Sequence, residues 1–135
     1  VRVFLDTNVL VSAFASRGLC ADLLELVLLE HDLVVGQNVL RELDKALREK
    51  VRLPAARAAE IAEFVSGEAV LLVDKAEPAR IKADADDAQV LGEALAGQAE
   101  VFITGDAALL KLGAVGALRV VSTRQFWETL RARGK

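Results

Sequence analysis

Short apolar runs alternate along the chain with longer stretches in which apolar residues recur every three or four positions, and these two periods locate the elements. Val1–Leu5, Leu33–Val35, Ala69–Val73, Val101–Thr104 and Arg119–Val121 are the short runs. Runs of this length without polar alternation suit strands covered on both faces. Val9–Ala15, Ala21–Glu30, a segment from Asn38 to about Glu49, another from Pro54 to about Phe64, Asp87–Ala96, Ala107–Leu112 and Gln125–Arg133 carry the helical period. The punctuation agrees, since Arg17–Gly18 separates the first two helices, Asn38 suits an N-cap, Pro54 a helix start and Gly67 a helix exit. Strands and helices in alternation predict an α/β fold, a three-layer α/β/α arrangement around a central parallel five-stranded sheet. With no internal repeat and no Pro- or Gly-rich linker, residues 1–135 are expected to form a single domain.

Composition narrows the chemistry. A chain of 135 residues that is 53% hydrophobic has apolar material for a real core. It contains no apolar stretch of the roughly 18 residues that a membrane span requires and opens on no signal-peptide pattern, so the expected address is the cytoplasm, away from membranes. Cys20 has no second cysteine to pair with, and His31 is the one histidine. Soft or imidazole-based metal sites are therefore excluded, and any metal must be held by oxygen. The net charge of −3 conceals segregation: Arg41–Arg57 carries +3, Ala58–Leu110 carries −8 and Lys111–Lys135 carries +5. An acidic middle between basic flanks fits a carboxylate cluster beside a surface able to follow a phosphate backbone.

Functional residues of open parallel sheets gather beyond the carboxyl ends of the strands. Asp6 follows the first strand and Asp106 follows Val101–Thr104, so parallel strands bring both to one rim. Asp87 heads a helix whose Val90, Leu91 and Ala94 lie on its own side, which turns its carboxylate inward. Glu42 lies one turn into the basic helix, beside the apolar face of Val39, Leu40, Leu43 and Leu47. Asp44 flanks the other side of that face, and the helical wheel does not choose between the two. Carboxylates that converge without histidine or cysteine repel one another unless a hard dication neutralises them, and Mg²⁺ or Mn²⁺ fits best. Such ions polarise phosphates, ease deprotonation of water and stabilise leaving oxyanions.

Asp6-Thr7-Asn8 after the first strand, Glu42 in an early helix, Asp84-Ala85-Asp86-Asp87 before an Ala/Leu helix and Ile103-Thr104-Gly105-Asp106 after a later strand together resemble the PIN domain. The resemblance runs nearly end to end, through the closing segment from Val121 to Phe126. It implies a metal-dependent endoribonuclease with RNA as substrate, of the VapC type found as the toxin of type II toxin–antitoxin pairs, with a small antitoxin protein as partner and a homodimer as the expected assembly. By the same resemblance Asp6, Glu42, Asp87 and Asp106 are the catalytic acids, with Asp6, Asp87 and Asp106 as metal ligands. Asn8 and Thr104 would orient them, and Asp84 and Asp86 would assist. Ala85 stands where the related subgroup usually has proline, and Ala88 where it often has a polar residue. The doubled Asp86-Asp87 leaves a choice of register, and Asp87 is preferred because Val90–Ala94 then falls as in the family.

Each acid also has a local explanation. Asp6, Asp84 and Asp106 are placed to cap helices, a role compatible with metal binding, and Glu42 could pair with Lys45. Arg41, Lys45 and Arg48 form either a solvated helix face or RNA contacts. His31 reads as solvated, Cys20 as core, and the glycines of Gly113-Ala114-Val115-Gly116 as unrelated to nucleotide binding, since no Walker-type lysine follows. The alternatives from other classes are a catalytically inactive PIN-like protein-binding module, a DNA or structure-specific nuclease, and a receiver-type phosphoryl-transfer domain. The last lacks a lysine directly after a late strand, and Asp6-Thr7-Asn8 lacks the second aspartate of the haloacid-dehalogenase pattern.

Overall fold

The computed structural model describes residues 1–133 of the chain; Gly134 and Lys135, the end of the basic C-terminal block, lie outside the described residues. Six strands form one sheet: β1 (Arg2–Leu5), β2 (Asp32–Gly36), β3 (Leu71–Val73), β4 (Val101–Ile103), β5 (Ala114–Val115) and β6 (Leu118–Val121). Their spatial order is β3-β2-β1-β4-β6-β5. Every pair is parallel except β5–β6. The helices that flank the sheet are α1 (Thr7–Ala15), α2 (Leu19–Glu30), α3 (Gln37–Glu49), α4 (Ala55–Glu68), α5 (Ala85–Ala96), α6 (Ala107–Leu110) and α7 (Thr123–Arg133).

The core is where the apolar runs meet. Val3, Phe4 and Leu5 of β1, Leu33–Val35 of β2 and Val101–Ile103 of β4 are all buried. Phe4 and Phe102 are register partners and stack with ring centroids 5.5 Å apart. On α3, Val39, Leu40, Leu43 and Leu47 bury one face, as the 3.6-residue period requires.

Three local details differ from the sequence reading. The sheet has a sixth strand, because Gly113 and Gly116 adopt positive φ on either side of Ala114–Val115 and fold it back as an antiparallel edge on β6. Two residues are too short a run to show a strand period, so only these glycines marked it. Gly67 does not end α4, which continues to Glu68. Asn38 is not the N-cap of α3; the helix starts after Gly36, which has no side chain to cap it.

The topology fixes the site. From β1 the chain steps outward through β2 to β3, then returns to place β4 on the other side of β1. Strand order therefore reverses between β1 and β4, where an open parallel sheet leaves a crevice at its carboxyl rim. Leu5 is in register with Ile103, and the backbone N–H of Asp6 donates to the Ile103 carbonyl at 2.9 Å. The residues that leave β1 and β4 are thus neighbours.

Candidate active site

Asp6 is the buried centre of this rim, 9% exposed. Its Oδ1 accepts from the Thr7 backbone N–H at 2.9 Å, which makes it the N-cap of α1. Its Oδ2 accepts from the Thr104 hydroxyl at 2.7 Å and from the Asn8 side-chain amide at 3.3 Å. Thr104 is fully buried, and its oxygen also accepts from the Asp106 backbone N–H at 3.0 Å. Asn8 in turn accepts the Gly105 backbone N–H at 3.0 Å through its side-chain oxygen. One hydroxyl and one amide thereby tie the end of β1 to the turn after β4. Burial pushes the Asp6 carboxyl above its ordinary range and the Asp106 charge adds to this, while the bonds from Thr104, Thr7 and Asn8 act in the opposite direction.

The other acids face Asp6 across a cleft of about 790 Å³. Asp106 caps α6, accepting from the N–H groups of Ala108 and Leu109 through Oδ1. Asp84 caps α5 through the Asp87 N–H at 2.8 Å, so α5 begins at Ala85 and Asp87 stands inside its first turn. Asp87 is raised to about 6, first by burial and then by its neighbours Asp84, Asp106 and Asp6. Glu42 is half-buried on α3 and accepts from the Thr7 hydroxyl at 3.2 Å. Burial raises it, as do the charges of Asp6 and Asp86, against the Thr7 bond and the Arg41 charge.

Asp6, Asn8, Glu42, Asp86, Asp87 and Asp106 line the cleft together, with Arg41 and Lys45 on its α3 wall. Thr104 lies beneath Asp6, and Asp84 stays exposed at the α5 cap. Arg48 is not brought in: it turns away to bind Asp44 at 3.0 Å. The same pair resolves the choice on α3, since Glu42 faces the cleft and Asp44 faces Arg48. Sequence reasoning missed Lys50, Asn38 and Gln89, which also line the cleft, and it missed Glu93, buried beneath α3. Glu93 was findable as an acid on the apolar side of α5, three residues after Val90.

The donor set is one of oxygens, with Asp6, Glu42 and Asp87 raised first by burial and then by neighbouring carboxylate charge, and this suits a hard dication rather than a soft one. Among the described residues no three ligating side chains already converge on one point. The cleft has the charge and chemistry for Mg²⁺ or Mn²⁺.

A model of the PIN domain matches residues 2–108, most of the chain. The chain belongs to the PIN-domain family. No curated protein matches it. Among solved structures, this PIN domain is similar to a chain of VapBC2 from Rickettsia felis, solved bound to a DNA fragment from their promoter. The TM-score is 0.64 at 13% identity, over 90% of this chain and 98% of that one. At that identity the likeness establishes the shared fold. Among the described residues no helix is long and apolar enough to cross a membrane.

Proposed function

We propose that this PIN domain is a Mg²⁺- or Mn²⁺-dependent endoribonuclease, the toxin of a type II toxin–antitoxin pair, with residues 1–135 as a single catalytic domain acting in the cytoplasm. The observation that carries the reading is the placement of Asp6, Glu42, Asp87 and Asp106 along one cleft, from four separate segments of the chain. Asp6, Asp87 and Asp106 would hold the ion and Glu42 would complete the acidic set, with Asp86 at its edge. Thr104 and Asn8 fix the Asp6 carboxylate before any ligand arrives, so it loses little freedom on binding. When bound, the ion supplies Lewis acidity to a phosphodiester and eases deprotonation of an attacking water. Arg41 and Lys45 border the acids on α3 and would hold the phosphates that flank the reacting one, whereas Arg48 is taken up by Asp44. The likeness to VapBC2 supports a small antitoxin as partner, and a homodimer is the expected assembly.

The test is cleavage of structured RNA, single-stranded RNA and DNA with Mn²⁺, beside a chelated control and Asp6→Asn purified identically. Metal-dependent RNA cleavage that is absent in Asp6→Asn is expected. Equal cleavage by Asp6→Asn would refute the mechanism, and preference for DNA would redirect the substrate assignment. If neither cleavage nor calorimetric Mn²⁺ binding is found, the fold serves instead as a protein-binding module.

A further inference from the structure

Glu93 is a carboxylate that the cleft leaves unused, and its environment is unusual. It lies on α5, six residues beyond Asp87, and is 1% exposed. Its Oε2 accepts from the Asn38 backbone N–H at 3.0 Å, while its Oε1 has no partner among the described residues. A buried carboxylate with one oxygen unpartnered carries a desolvation cost that an apolar residue of similar size does not. Burial holds Glu93 above its ordinary range, against the Asn38 bond and the Arg41 charge.

The position of the carboxylate is matched by a gap in α3. That helix starts after Gly36 with no side-chain cap, so its first N–H groups need an acceptor from elsewhere. Glu93 supplies it across helices. The backbone of Gly36 is not at positive φ, so flexibility does not account for the glycine. A Cβ there would overlap the Glu93 carboxylate, and glycine is what admits it. Asn38 is held a second time through its side-chain oxygen, which accepts from Arg41. Four residues after Asn38 comes Glu42.

We infer that Glu93 is a positioning residue, a cap borrowed from α5 that holds the Glu42 helix against the Asp87 helix and so sets the spacing of two walls of the cleft. The helix tie stands on geometry alone, whereas its consequence for metal affinity rests on the nuclease reading above. Outer groups that orient ligating side chains commonly change metal affinity by about 10- to 100-fold when removed.

The experiment compares wild type, Glu93→Leu and Glu93→Gln. Leucine keeps the bulk and removes the acceptor; glutamine keeps an acceptor oxygen. Amide exchange is followed by NMR on the metal-free proteins, Mn²⁺ affinity by calorimetry and stability by urea unfolding. Glu93→Leu sheds a buried carboxylate but also loses the α3 cap, so its stability is expected near that of wild type, while the Asn38 amide exchanges about tenfold faster and Mn²⁺ binds about tenfold more weakly. Glu93→Gln should restore both toward wild type, and Glu93→Ala, which also lacks the acceptor, takes the place of the leucine variant if that does not fold. Unchanged Asn38 protection in Glu93→Leu overturns the inference, as does unchanged Mn²⁺ affinity in that variant when wild type binds. Absence of Mn²⁺ binding by wild type would refute the nuclease reading, and the exchange rates would still decide the tie.

Discussion

Replacing Asp87 by asparagine should make the metal-free protein more stable at neutral pH while removing its response to Mn²⁺. Asp87 is raised from 3.8 to about 6 by burial and by the neighbouring carboxylates. A carboxyl raised on folding makes the native state bind its proton more tightly than the unfolded chain does. Stability is therefore greatest when Asp87 is protonated, falls as pH rises from about 4 to about 6, and stays low above that. In full the shift corresponds to about 3 kcal/mol. Asp87 remains partly open to water, which screens the repulsion, and its charge near the start of α5 regains about 0.5 kcal/mol from the helix dipole. The net expectation is a gain of about 1 kcal/mol for Asp87→Asn at pH 7.5 and none at pH 4, read by urea unfolding in chelator. Adding Mn²⁺ should reverse the order, since the wild type gains stability by binding and the variant does not. A loss of stability at pH 7.5, or a gain equally large at pH 4, would refute the electrostatic account of the cleft.

Thr104→Val keeps the shape of the side chain but removes the donor to Asp6 and the acceptor for the Asp106 N–H; it should cost about 2 kcal/mol in urea unfolding and weaken Mn²⁺ binding. Lys45→Ala should lower RNA affinity and reduce the slope of log affinity against log salt by about 0.7, whereas Arg48→Ala, whose guanidinium is held by Asp44, should leave both unchanged in filter binding. Gly92→Ala places a Cβ against the Glu77 carbonyl, where the loop after β3 crosses α5. It should destabilise the domain by about 2 kcal/mol in thermal or urea unfolding, and a neutral result would show that the loop yields.

Much of this protein is decided along the chain itself. The short apolar runs and the period-3.6 segments are local properties, so β1, β2, β4, β6 and the faces of α3 and α5 follow from which residues are apolar. Asp6 and Asp106 could be placed at one rim because each directly follows a strand, and strands joined through helices run parallel. Capping roles for Asp6, Asp84 and Asp106 were equally local and are all present.

What the chain did not reveal depends on distant partners. The helical wheel leaves Glu42 and Asp44 equivalent, and only the packing of α3 beside Thr7 turns one to the cleft and the other to Arg48. The edge strand β5 is too short for a period and exists because β6 is there to pair with it. Glu93 shows the difference most plainly. Its burial was readable from the α5 wheel, but its partner, the Asn38 amide, is 55 residues away and meets it only because β2 ends at a glycine beneath α5. Local periodicity decides which face of an element is buried, whereas the pairing of polar groups across elements exists only once the sheet order has brought them together.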